Sequence, residues 1–279
     1  MAGQTEGRRL SVSATILAPA KLTLSLRVTG VRPDGYHLVD AEMVSLDLAD
    51  ELTFTDGSGL EIVDAGTAVV GAPPSDDAAP TGELRPGVPA APGLPPGVPA
   101  GNDNLVRRAL RAVGRDAHVR LVKRIPAGGG LGGGSADAAA VLRWAGASAD
   151  DGVGLAATLG ADVPFCLRGG RARVSGIGDE MEPLPYVERT FTLLTPPFGC
   201  STVAVYRAWD ALGGPTAAGP NDLEPAALTV EPGLARWRDR LGDATGQTPV
   251  LAGSGSTWYV EGDHPGEGRV VVRSVPAYG

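Results

Sequence analysis

Apolar and polar residues alternate through the first sixty positions. "LSVSATILAPAKLTLSLRVTG" and "AEMVSLDLADELTFTDG" place aliphatic and β-branched residues at nearly every second position, and a shorter run, "LEIVDAG", follows. A period of two is the pattern of a half-buried strand. "VRPDGYH" breaks the pattern with Pro33, Asp34 and Gly35, a turn signal. Strands in succession with turn-length gaps predict antiparallel pairing rather than βαβ units. The period then lengthens. In "NDNLVRRALRAVG", Leu105, Ala109, Leu110 and Val113 share a stripe, and Asn102 or Asn104 can cap the helix. "AHVRLVKRI" returns to alternation, with Val119 and Leu121 against His118 and Arg120. An alanine-rich helix up to Gly146, a short helix near "GVGLAATLG" and a strand or hairpin in "RARVSGIGDEMEPL" come next.

From about residue 188 the pattern starts again. "RTFTLLTPP" leads into helical "VAVYRAWDAL", where Tyr206 shares a stripe with Val203 and Leu212, and then into helical "PGLARWRDRLGDATG". "TPVLAGSGSTWYVEG" and "GRVVVRSVPAYG" close the chain. Small-scale alternation of strands and helices predicts a second α+β unit, so the expected domains are 1–187 and 188–279. Between the halves of this pattern, residues 71–101 are dominated by Pro, Gly and Ala, which bury little and forbid a ladder or helix. They are expected to form an extended surface loop. No internal repeat is visible.

The chain has 279 residues, 43% of them hydrophobic, enough for a sizeable core. A net charge of −8 argues against a sequence-independent nucleic-acid binder, although a local group of N–H donors can still hold an anion. Two cysteines, Cys166 and Cys200, are too few for a disulfide framework or a cysteine-based zinc site. His37, His118 and His264 have no metal-binding spacing. No apolar run has the length of a membrane span, and "MAGQTEGRRLSVSATILAPA" lacks the core of a signal peptide. A soluble, cytoplasmic protein is expected.

The chemistry concentrates in "KRIPAGGGLGGGSADAAAVLRWAG", residues 123–146, with six glycines between Gly128 and Gly134. A P-loop needs Lys followed by Ser or Thr after its last glycine, and "SADAAA" has no lysine. The dinucleotide pattern G-x-G-x-x-G is met by Gly128, Gly130 and Gly133. Its context fails, because "HVRLVKR" alternates where a buried parallel strand should be continuously apolar. What remains is a strand, a glycine backbone and a helix N-terminus. Ser135 is expected as N-cap and Gly146 as the C′ residue. Free N–H groups and the helix dipole at such an end favour an anion, and glycines let main chain approach phosphate oxygens closely.

"PAGGGLGGGSADAAA" resembles the glycine-rich motif of the GHMP kinase superfamily, which includes galactokinases and homoserine, mevalonate and phosphomevalonate kinases. "APAKLTLSLRVTGVRPDGYH", "GNDNLV", "LGADVPF" and "LAGSGSTWYVEG" are similar, in the expected order, to further motifs of the branch that phosphorylates a cytidine-diphosphate-linked methylerythritol in the non-mevalonate isoprenoid pathway. The resemblance implies an α+β two-domain fold: an N-terminal nucleotide-binding domain and a C-terminal ferredoxin-like domain, with the active site in the cleft between them. It implies ATP, with Mg²⁺, on Pro126, Ala127, Gly128, Gly129, Gly130, Leu131, Gly132, Gly133, Gly134, Ser135 and Ala136, with Asn104 near the adenine or simply capping its helix. It makes Asp162 the base that accepts the proton of the substrate's 2-hydroxyl, with Lys21 beside it. Thr23, where the family usually has Asn, together with Tyr36, His37, Tyr206, Gly253, Ser254 and Gly255, is implied on the substrate side. Tyr206 can equally be core packing. No residue declares itself a metal ligand; Ser135 is the only candidate. The implied partner is a small-molecule cytidine diphosphate substrate, with no nucleic acid and no membrane, for a monomer or homodimer. A homoserine- or mevalonate-type kinase, or a catalytically silent nucleotide-binding relative, are the alternatives.

Overall fold

In the computed structural model, residues 13–65, 97–99 and 101–278 are described. The expected loop at 71–101 therefore lies largely outside the described residues. Strands β1 (Ala14–Val31) and β2 (His37–Thr55) form a long antiparallel ribbon across the Pro33–Gly35 turn. β3 (Gly59–Asp64) departs from the antiparallel expectation. It pairs in parallel with β4 (His118–Lys123), from Gly59 beside His118 to Asp64 beside Lys123. The physical reason is the long connection between them, which includes helix α1 (Leu105–Ala112) and returns the chain to the same end of the sheet. β2 is the hub: it also pairs with β4 and with β5 (Arg171–Ser175), which forms a hairpin with β6 (Glu180–Pro183).

Helix α2 (Gly133–Trp144) packs against β1, α1 and α4 (Val163–Arg168), with α3 (Val153–Leu159) alongside. The run Ala136–Leu142 is buried throughout, so α2 is a core helix, and its alanines allow close approach on every side. It ends as expected. Gly146, at φ +90°, donates its N–H to Arg143 O at 2.9 Å, and Ala147 donates to Leu142 O at 3.0 Å, the paired bonds of a Schellman end. In α1 the fully buried residues are Val106 and Ala109, while Leu105, Leu110 and Val113 are only partly covered.

The C-terminal half holds β7 (Thr190–Leu194), α5 (Thr202–Ala211), α6 (Glu224–Val230), α7 (Leu234–Thr245), β8 (Val250–Leu251), β9 (Trp258–Glu261) and β10 (Arg269–Val275). These strands lie in the order β10-β7-β9-β8, all antiparallel. This is a ferredoxin-like βαββαβ course in which residues 262–268, without helix, replace the second crossover helix. Ser274 and Val275 of β10 continue onto β2, so the two sheets share a strand. Trp237, Trp258 and Phe191 are fully buried between sheet and helices. On α5 the buried residues are Val205 and Trp209; Val203 and Leu212 are exposed, so the stripe expected through them is not the core face. Among the described residues no helix is long and apolar enough to cross a membrane.

Candidate active site

β4 delivers the chain into the glycine loop. Gly128, Gly130 and Gly132 have φ of +71°, +76° and +68°, values that L side chains rarely adopt. Their hydrogens face protein. A Cβ on Gly130 would lie 2.2 Å from Ala252 O, one on Gly128 would lie 3.1 Å from Gly199 Cα, and one on Gly132 would lie 2.8 Å from Lys21 Cγ. The loop is also hydrogen-bonded into place. Thr257 N–H donates to Gly129 O at 3.1 Å, Cys200 N–H to Gly128 O at 3.3 Å and Lys21 N–H to Leu131 O at 3.0 Å. These glycines thus lock three segments of main chain together at the mouth of α2.

The expected N-cap is corrected. α2 begins at Gly133, with Gly132 as its left-handed N-cap and no side-chain cap; Ser135 already lies inside the first turn. Helical bonding starts with Ala136 N–H on Gly132 O at 2.8 Å. The N–H groups of Gly133, Gly134 and Ser135 precede that bond, have no acceptor among the described residues and line the cleft. With the positive end of the helix dipole behind them, they form an anion cradle.

Lys21 and Asp162 meet across this cleft, Nζ to Oδ2 at 3.3 Å. Breaks in the β1–β2 register fall between Pro19 and Lys21 and between Thr23 and Ser25, so the ribbon is irregular on both sides of the lysine. That leaves the Lys21 amide for Leu131 and turns the side chain inward. Nζ also donates to Thr23 Oγ1 at 3.1 Å, and Thr23 is buried. Asp162 occupies the N-cap position of α4 yet caps nothing. Its carboxylate is one-third exposed and keeps spare lone pairs toward the cleft. A carboxylate so placed can take a proton from an alcohol while the ammonium stabilises the oxygen's developing charge.

A second charged cluster lies under the same loop, and sequence reasoning missed it. Lys123 Nζ donates to Asp137 Oδ2 at 2.8 Å and to Asp50 Oδ2, and Asp50 Oδ1 accepts the Arg124 and Ile125 amides. All three side chains are buried. Burial works against the Lys123 ammonium, but Asp137 and Asp50 outweigh it and lift the group above its ordinary value. Burial pushes Asp137 up to about 7, with Lys123 opposing. Asp137 Oδ1 has no hydrogen-bond partner among the described residues. Two signals were available: a lysine on the apolar face of an alternating strand, and an aspartate inside an alanine run.

The far end of the cleft is built from side chains. Tyr36 is exposed at the turn. His37, opening β2, lies tilted over the Tyr206 ring at 4.6 Å between centroids and edge-on to Trp209 at 5.6 Å. Burial, with the Asp162 charge, pushes the Tyr206 hydroxyl up to about 12, so it stays neutral. Tyr206 both packs on the core and lines the cleft. Ser254 Oγ shares a hydrogen bond with Thr202 Oγ1 at 2.8 Å. Asn221, also missed, holds the 251–253 turn through Leu251 O and Gly253 O at 2.8 and 2.7 Å.

One cleft of about 780 Å³ collects Lys21, Thr23, Tyr36, His37, Asn104, Pro126 through Ser135, Asp162, Tyr206, Gly253 and Ser254. Two expected residues stay off its wall: Ala136 is buried in α2, and Gly255 turns its carbonyl toward Gly130. Asn104 lines the cleft, but its amide is committed. Oδ1 caps α1 at Val106 N and Nδ2 donates to Pro99 O, both at 2.8 Å. The cysteines are buried, which pushes the Cys166 thiol to about 12 and that of Cys200 to about 11. Among the described residues no group of three or more His, Cys, Asp or Glu could hold a metal.

Residues 104–170 match the GHMP kinases N terminal domain. The chain is 38% identical to the 4-diphosphocytidyl-2-C-methyl-D-erythritol kinase of Paracoccus denitrificans, across 87% of this chain and 84% of that one. It is 37% identical to the kinase of the same name from Pelotomaculum thermopropionicum, across 88% of each. A crystal structure of 4-(cytidine 5'-diphospho)-2C-methyl-D-erythritol kinase superposes with a TM-score of 0.66 at 29% identity, covering 95% of this chain and all of that one. A mevalonate kinase superposes with a TM-score of 0.54 at 10% identity over 94% of this chain and 99% of its own, a likeness of fold alone.

Proposed function

The chain belongs to the 4-diphosphocytidyl-2-C-methyl-D-erythritol kinase family of GHMP kinases, and from that premise we propose that it transfers the γ-phosphoryl group of ATP to the 2-hydroxyl of 4-diphosphocytidyl-2-C-methyl-D-erythritol. The observation that carries the reading is the Lys21–Asp162 pair, open to the same cleft as the unpaired amides that begin α2.

Phosphoryl transfer asks for a held triphosphate, an aimed hydroxyl and stabilised charge. The Gly133, Gly134 and Ser135 amides hold phosphate oxygens. The packed glycine loop fixes them in advance, so little reorganisation accompanies binding. Asp162 accepts the hydroxyl proton. Lys21, held by Thr23 Oγ1, stabilises negative charge on the attacking oxygen; a threonine suffices there because that task needs one acceptor. A Mg²⁺ ion bound with ATP would neutralise phosphate charge. Its usual site is made of phosphate oxygens, waters and one or two protein oxygens rather than a protein cage. The residues fit that pattern: the Ser135 hydroxyl lines the cleft with no hydrogen-bond partner among the described residues.

Tyr36, His37 and Tyr206 receive the cytosine, with rings for its face and an imidazole for its edge. Gly253 and Ser254 border the diphosphate and sugar alcohol. We assign residues 1–187 to the ATP-side domain and 188–279 to a substrate-side domain; Tyr36 and His37 cross that division by reaching the base from β2's start. The test is ADP release from purified protein with ATP and Mg²⁺, offered the cytidyl substrate, homoserine or mevalonate. Release with the cytidyl compound alone is expected; release only with an aliphatic acceptor, or with none, overturns the assignment.

A further inference from the structure

His37 Nε2 lies 2.8 Å from Asp210 Oδ1, a contact between β2 and α5 across 173 positions of sequence. The imidazole is nearly covered and Asp210 is half exposed. The ring is clamped by Tyr206 and Trp209, and Trp209 is itself fixed by its Nε1–H on Pro215 O at 3.0 Å. Among the described residues Nδ1 has no hydrogen-bond partner. His37, Asp210 and Tyr206 all line the cleft.

A carboxylate only accepts hydrogen bonds. In its neutral form an imidazole beside that carboxylate carries its hydrogen on Nε2, and Nδ1 then presents a lone pair. An acceptor at that point selects a base whose edge offers a donor. Cytosine offers its exocyclic amino group; uracil has a carbonyl oxygen at the same place, and two acceptors would then face each other. We propose that Asp210 is a specificity-determining positioning residue: it sets the His37 tautomer, so that the cleft accepts a cytidine diphosphate arm and rejects the uridine one. The proposal rests on the base-recognition reading above and adds the residue that decides which pyrimidine fits.

The experiment compares kcat/KM for the cytidyl substrate and its uridyl analogue in the wild-type protein, Asp210→Leu and Asp210→Glu. Leucine removes the acceptor at a half-exposed helix position, and glutamate restores it. In Asp210→Leu the cytidyl-to-uridyl ratio falls by about tenfold, because a polar group is no longer aimed against the wrong base. KM for the nucleotide-bearing substrate carries the change, KM for ATP does not, and Asp210→Glu recovers most of the discrimination. A ratio that falls less than threefold in Asp210→Leu overturns the proposal, including the case where both compounds weaken equally, which marks Asp210 as wall rather than selector. If the wild-type protein turns over neither compound, the kinase reading fails by itself. Calorimetric binding of CDP against UDP, in the same variants and under the same threefold criterion, then decides the role of Asp210.

Discussion

Two lysines flank the glycine loop and differ in almost everything but charge. A Cβ on Gly132 would strike Lys21, and one on the next residue, Gly133, would lie 3.2 Å from Lys123 Nζ. Lys21 has one carboxylate, Asp162, which is open to the cleft and caps nothing. Lys123 has two, Asp50 and Asp137; all three side chains are buried, although Lys123 and Asp137 border the cleft from beneath the loop. The first pair leaves lone pairs unspent where a substrate can reach them. In the second, Asp50 spends its lone pairs on Lys123 and on backbone amides that fix how β4 enters the loop. A charge cluster acts chemically when it retains valence in an accessible place, and mechanically when its bonds are internal. The glycine loop lies between one of each.

The sharpest division should appear in Asp162→Asn. Losing the proton acceptor lowers kcat by about a thousandfold. Because the carboxylate is one-third exposed and caps no helix, the unfolding free energy moves by about 1 kcal/mol or less. Near-normal turnover removes Asp162 from the chemistry. The next comparison is Lys21→Met against Lys123→Met in urea unfolding. Lys123→Met strands two buried carboxyls and costs about 3–5 kcal/mol. Lys21→Met costs about 1 kcal/mol or less, since Asp162 can turn to water. Equal losses in the two variants would erase the distinction.

Much of this was legible in the sequence because it is local. Alternation marked β1, β2 and β4, and the alanine run with Gly146 behind it marked α2 and its end. Ser135 misled as N-cap because capping preference is a local rule, whereas Gly132 takes the left-handed cap under pressure from Lys21. The parallel pairing of β3 depended on where a long connection returns. The glycines of the loop were read as space for phosphate, yet Gly128 and Gly130 face Gly199 and Ala252, residues far along the chain. Asp50, Asn221 and Asp210 share that character: each acts through a partner at least 30 positions away. Lys21 and Asp162, by contrast, could be named through the resemblance, each within its own motif.

The smallest effect is the one that tests the mechanical cluster from inside. In the folded chain Asp137 gives up its proton at about 7, against an ordinary carboxyl value of 3.8, because burial penalises its charged form more than Lys123 favours it. Between those values the folded state binds more protons than the unfolded state, so stability falls as pH rises. The contribution is complete below the unfolded value and is lost as pH passes through the folded one. Asp137→Asn keeps an oxygen for Lys123 but has no proton to lose. Its unfolding free energy should therefore decline less than that of the wild-type protein between pH 5 and pH 8, by about 2–3 kcal/mol when urea transitions are compared. Parallel pH profiles would mean that the negative charge of Asp137 is already accommodated beneath the loop. In that case its unpartnered Oδ1 would have to be satisfied in solution, and the cluster would no longer differ in kind from the Lys21 pair.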